Sequence, residues 1–203
     1  MGLVFPSHVL PRVFCLVSAG DDLTLLPALA AAGITGFQVR DKVAATRALI
    51  DLTRHVRELV GDACVIVDDR VDVALAAGAD GVHLGADDLP IEVARRLGPG
   101  LVIGATCRSR TDIVAARAAG ADYAGFGPIR ATGSKAGLPE PLGTGAIRAV
   151  ADAGLPVIAI GGIDAATAAA AGVAGAHGVA VIGAIWRDPD PVQAAKELVA
   201  AVG

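Results

Sequence analysis

The chain reads as an α/β protein folded as one (β/α)8 barrel, on three observations. Eight short apolar runs alternate with longer stretches of helical pattern. The runs are near-continuous in Val, Ile and Leu, as strands buried on both faces are. A short Ala-Gly echo precedes every second run. An open doubly wound sheet is the main structural alternative. At 203 residues, with no linker or low-complexity segment, the chain is expected to form a single TIM-barrel domain over 1–203.

The strands are expected at Val13–Val17, Gly36–Arg40, Cys64–Asp68, Gly81–Leu84, Leu101–Ala105, Tyr123–Gly127, Pro156–Ile160 and Gly178–Ile182. Between them lie helical patterns such as Ala44–Val60, Thr111–Ala119, Thr144–Ala153 and Pro191–Ala201. The echo comprises Ala32-Gly33-Ile34-Thr35-Gly36, Ala77-Gly78-Ala79-Asp80-Gly81, Ala119-Gly120-Ala121-Asp122-Tyr123 and Ala174-Gly175-Ala176-His177-Gly178. Each places a glycine where a helix should end, permitting a left-handed cap.

Composition excludes several classes. A net charge of −4 leaves no nucleic-acid footprint. Met1 to Gly20 is apolar but holds Pro6, Pro11 and Arg12 and lacks a basic start, so no signal peptide is expected. Pro6 stands where myristoylation after Gly2 would need Ser or Thr. The nearly uncharged Ala165–Trp186 is interrupted by Gly172, Gly175 and His177 and reads as a buried helix plus a buried strand, so no membrane contact is expected. Cys15, Cys64 and Cys107 show no metal spacing and read as reduced thiols of a cytoplasmic protein.

The chemistry falls at strand ends, where a barrel builds its site. Only three lysines accompany fourteen arginines, and Lys42 and Lys135 both lie in such loops. The second strand supplies Gln38, Arg40 and Lys42, the third Asp68, Asp69 and Arg70, the fourth His83, Asp87 and Asp88, and the fifth Thr106. The loop after the sixth supplies Thr132, Ser134 and Lys135. The seventh ends in Gly161-Gly162 and the eighth in Ile182-Gly183. Carboxylates on adjacent strands suit a hard cation such as Mg2+, which keeps waters and binds substrate phosphates. Arg40, Lys42 and Lys135 could share a diphosphate. The glycine-rich ends of strands seven and eight offer backbone N–H groups to a monophosphate. The pair of subsites points to a two-substrate transfer with diphosphate leaving. Plainer readings stand beside these. Asp69-Arg70 could be a helix cap with a surface ion pair, His83 a satisfied core histidine, Gly161-Gly162 a tight turn, and Lys135 a solvated lysine. Asp41 and Asp87 could be solvent-facing neighbours.

These blocks, in this order, resemble the family of thiamine phosphate synthases and thiazole tautomerases over nearly the whole chain. Gln38-Val39-Arg40-Asp41-Lys42 is similar to the family's Gln-Leu-Arg-Glu-Lys block, and Val67-Asp68-Asp69-Arg70-Val71-Asp72 to its Asn-Asp-Arg block. Ala77 to Gly85, leading to Asp88, resembles a third block. Gly127-Pro128-Ile129 followed by Thr132-Gly133-Ser134-Lys135 resembles its Gly-Pro-Ile loop, and Ile160-Gly161-Gly162-Ile163 its phosphate turn. The resemblance implies coupling of hydroxymethylpyrimidine diphosphate to thiazole phosphate. By the same implication, Asp69 and Asp88 bind Mg2+, and Arg40, Lys42 and Lys135 act on the diphosphate with Asp68 nearby. Gln38 and Thr106 contact the pyrimidine; Thr132, Ser134, Gly162, Ile182 and Gly183 hold the thiazole phosphate. Homo-oligomerisation is left open.

The chain departs from that pattern in places. Asp68 stands for Asn, Ala86 for Gln, Arg130-Ala131 for an aromatic-Pro pair, Gly183 for Ser and Thr106 for Ser. Arg108 stands where these families often carry a histidine, thought to be the tautomerases' acid/base. The alternatives to a synthase are a thiazole-phosphate tautomerase and a non-catalytic paralogue that binds thiazole or thiamine phosphate.

Overall fold

A computed structural model describes residues 10–133, 137 and 139–203. Eight parallel strands close into a barrel in sequential order: β1 Val13–Val17, β2 Gly36–Val39, β3 Cys64–Asp68, β4 Gly81–Leu84, β5 Val102–Cys107, β6 Tyr123–Phe126, β7 Val157–Ile160 and β8 Gly178–Val181. The ring closes where β1 pairs with β8, Val13 opposite Val179. Outside lie α1 Leu26–Ala31 (after a 3-10 turn, Leu23–Leu25), α2 Thr46–Val60, α3 Val71–Ala77, α4 Ile91–Leu97, α5 Arg110–Ala119, α6 Gly145–Arg148, α7 Ala165–Val173, α8 Gly183–Trp186 and α9 Pro191–Val202. α2 shows why helices form there: Leu49, Leu52, Thr53, Val56 and Val60 are its buried residues, one stripe at helical spacing.

Side chains alternate along each strand. One set, including Val13, Cys15, Phe37, Val65, Val82, Ile103 and Val179, packs outward against the helices. The other fills the barrel with Phe14, Leu16, Cys64, Ile66, Val102, Tyr123, Ile158 and Ala180. So few aromatics fill the bore because glycines face them. A Cβ on Gly36 would come within 2.7 Å of Phe14, and one on Gly104 within 2.1 Å of the Tyr123 ring. The same alternation carries Gln38, Asp68, His83 and Thr106 in phase with the interior set, on one cavity at the strands' C-terminal ends.

The echo behaves as expected. Gly33, Gly78, Gly120 and Gly175 all have positive φ, between 69° and 103°. Most expected elements match to within a residue or two at their ends, and two differences are instructive. β5 runs on to Cys107, because Thr106 is the inward member of a continuing alternation. The helix expected over Thr144–Ala153 shrinks to the single turn of α6. Glycines 143 and 145 sit at its start, and bonds such as Val150 N to Ile147 O follow three-residue spacing.

All three cysteines are buried and free. Burial pushes the Cys64 and Cys107 thiols up to about 12, which makes them inert. No helix among the described residues is long and apolar enough to cross a membrane.

Candidate active site

At the C-terminal ends of the strands lies a cavity of about 530 Å3. Its walls include Gln38, Arg40, Asp68, His83, Thr106, Thr132, Gly161-Gly162 and Ile182-Gly183, which β2 to β8 and their loops bring together. Ser134 and Lys135 lie outside the described residues.

Asp68 organises one wall. Its Oδ1 accepts from Gln38 Nε2 at 2.5 Å, and Arg40 Nε lies 3.1 Å from its Oδ2. Burial raises the Asp68 carboxyl to about 6, helped by the adjacent Asp69 charge and opposed by Arg40 and Gln38. Gln38 is 4% exposed, so its amide is fixed by this contact.

Beside that wall stands a second cluster, whose members do not line the cavity. The Lys42 ammonium pairs with Asp69, and Asp69 hydrogen-bonds Asp88. Asp88 Oδ2 also accepts from the Gly85 amide at 2.7 Å, which ties the acid to the end of β4. Asp69 has a φ of 64°, while its amide donates to His83 O at 2.8 Å. A left-handed aspartate at a strand end is stored strain, and such strain gathers at functional sites. Burial tends to raise Asp69, but Lys42 and the bond from Asp88 outweigh it and hold the carboxyl below its ordinary range. Asp88 is raised by burial first and then by donating to Asp69.

Two neighbouring carboxyl groups offer the kind of oxygen pair that Mg2+ takes, once both are ionised, together with waters and substrate phosphates. Among the described residues no three His, Cys, Asp or Glu gather into a metal site, so these two would be the protein's contribution.

The plainer readings hold for some residues. His83 Nδ1 lies 3.1 Å from Tyr123 Oη, and its Nε2 lies 3.0 Å from Thr106 Oγ1. It is a satisfied histidine that braces Thr106. Asp41 accepts from the Val43 and Ala44 amides and shapes its loop, while Asp87 is exposed. Arg70 pairs with Asp72 at 2.5 Å. Gly161 and Gly162 have φ of 95° and 64°, and a Cβ on either would strike the 128–131 loop. Both glycines are therefore demanded by the turn itself. Arg108 donates to Gly127 O and Glu140 O, each at 2.9 Å, which ties the two ends of the loop after β6.

Sequence reasoning missed Tyr123 beneath His83, although Gly104 and Gly125, inside strand patterns, signalled a close approach. It also missed Arg187, which lines the cavity.

A sequential (β/α)8 barrel with a cavity at the strands' C-terminal ends lined by Arg40, Asp68, His83, Arg108, Asp164 and Arg187 defines the class: a barrel enzyme. Residues 10–185 match the sequence model of the family described as thiamine monophosphate synthase, and the chain belongs to that family of transferases. It is 47% identical over 190 residues to the thiamine biosynthesis bifunctional protein ThiM/ThiE of Symbiobacterium thermophilum, covering 92% of this chain but only 40% of that longer protein. It is 45% identical over 192 residues to the thiamine-phosphate synthase of Anaeromyxobacter dehalogenans, covering 93% of this chain and 86% of the relative. Among solved structures, thiamine phosphate pyrophosphorylase from Pyrococcus furiosus superposes with a TM-score of 0.85 at 35% identity, over 94% of this chain and 95% of that one.

Proposed function

We infer that the chain is a Mg2+-dependent synthase, joining hydroxymethylpyrimidine diphosphate to thiazole phosphate with release of diphosphate. The observation that carries the metal-dependent reading is the contact between Asp69 and Asp88 beside Lys42, adjoining the cavity that Arg40 enters.

In this reading Asp69 and Asp88 hold Mg2+, which when bound neutralises the departing diphosphate. Arg40 and Lys42 lie on the same side and oppose its charge, with Lys135 as a further cation. Gln38, its amide nitrogen engaged by Asp68, offers its carbonyl oxygen to the pyrimidine, and Thr106, braced by His83, contacts the same ring. The bond from methylene carbon to diphosphate oxygen breaks, with its electron pair leaving on oxygen. The pyrimidine carries the positive charge until the thiazole nitrogen's lone pair forms the new C–N bond. Residues that favour developing charge supply most of such catalysis. Thr132, Ser134, Gly162, Ile182 and Gly183 hold the thiazole phosphate. The tautomerase reading is disfavoured because the Arg108 guanidinium is committed to two backbone carbonyls.

The test mixes purified protein, both substrates and Mg2+, with and without EDTA, and follows thiamine phosphate as thiochrome fluorescence after oxidation. Product that EDTA abolishes and excess Mg2+ restores is expected. Product indifferent to EDTA overturns the metal assignment. No product from folded protein that binds thiazole phosphate moves the reading to a tautomerase or a binding paralogue.

A further inference from the structure

We propose that Arg187 is a specificity-determining residue, its guanidinium binding the phosphate of the acceptor substrate; this rests on the synthase reading above. Arg187 lines the cavity on the wall formed by Gly161, Gly162, Ile182 and Gly183. It lies one helical turn beyond Gly183, and its amide donates to Gly183 O at 3.2 Å. The side chain folds back over that glycine. A Cβ placed on Gly183 would come within 3.3 Å of Arg187 Cζ and Nη1 and 3.4 Å of Nε, a tight fit. The bare glycine thus leaves the guanidinium close against the backbone at the end of β8.

Charge on this wall makes the arginine necessary. Asp164 also lines the cavity, and its carboxylate would repel a phosphate. Arg130 lies 3.2 Å from Asp164 and offsets that charge without adding a surplus. Backbone N–H groups alone would hold a phosphate through partial charges only. Arg187 supplies a full charge and a planar fork matched to phosphate oxygens.

The experiment compares wild type with Arg187→Ala and Arg187→Lys, using thiazole phosphate and the unphosphorylated thiazole alcohol as acceptors, by kinetics and by titration calorimetry. For Arg187→Ala, kcat/KM and affinity for thiazole phosphate should fall about ten-fold or more. The alcohol and the KM for the pyrimidine diphosphate should be unaffected, and Arg187→Lys should recover part of the loss. Equal loss on both acceptors, or a retained preference for the phosphorylated one, overturns the assignment while the synthase reading stands. A wild type that neither couples nor binds thiazole phosphate overturns the underlying reading and this one with it.

Discussion

The two ends of the barrel use the same residue types to opposite effect. At the N-terminal end, Asp80 accepts from Arg57 at 3.0 Å and from the Val65 amide at 2.8 Å. Asp122, at the matching place of the next echo, accepts from Arg95 at 2.6 Å and from the Ile103 amide at 2.8 Å. Each carboxylate there takes an arginine from the nearby helix and a backbone N–H from the preceding strand. At the C-terminal end, among the described residues, Asp68 pairs with Arg40 and Asp69 with Lys42, while Asp88 lies against Asp69. Balanced charge staples strands to helices, and the acids at the other end are not balanced in that way. On the proposed function, the contrast separates acids that serve the fold from acids that serve the reaction.

Removing the acids of the C-terminal end should break this contrast most visibly. Asp69→Asn, which keeps a residue that tolerates the left-handed backbone, and Asp88→Asn should each lower turnover by about 100-fold or more, with the circular dichroism spectrum and melting midpoint preserved. Full activity in both variants would show that these acids serve only the fold. Gly104 lies in the layer between the two ends, and alanine there forces the Tyr123 and His83 rings aside. Gly104→Ala should destabilise the barrel by about 3 kcal/mol in urea unfolding and also slow turnover by displacing Thr106. A loss of stability with unchanged turnover would mean that His83 does not brace the site. The smallest effect is expected at the N-terminal end. Asp122→Ala should cost about 2 kcal/mol and lower the melting midpoint by about 6 °C, with kinetic constants unchanged at 25 °C. A change in KM would show that the two ends are coupled.

Much of this division was legible in the amino-acid order. Val/Ile/Leu runs mark strands buried on both faces, and the repeated Ala-Gly caps mark helix ends, because both depend on local chemistry. The echo was readable as a folding signal through its glycines, while the pairing of Asp80 with Arg57 and of Asp122 with Arg95 was not. That pairing joins residues 23 and 27 positions apart through the barrel's curvature. The site was legible as a set of strand-end residues. Its division into a cavity wall with Gln38, Arg40 and Asp68 and an adjoining Lys42, Asp69 and Asp88 cluster needed the register of β2 to β4. Arg187 escaped notice because its relation to the cavity depends on the side chain folding back over Gly183, which no motif announces.

Inheritance acts on Asp69 through its backbone as well as its carboxylate. A left-handed φ of 64° admits Gly, Asn and Asp readily, and most other residues at a cost of about 1 kcal/mol or more. Both Gly and Asn are single-nucleotide neighbours of an aspartate codon. A gene copy released from selection for turnover therefore drifts most readily to an uncharged residue that leaves the barrel intact. If Asp69 holds the metal as proposed, such a product stays folded, keeps the cavity and fails at coupling. The left-handed strand end would then make catalysis easier to lose than structure, and place silent, ligand-holding descendants one mutation away.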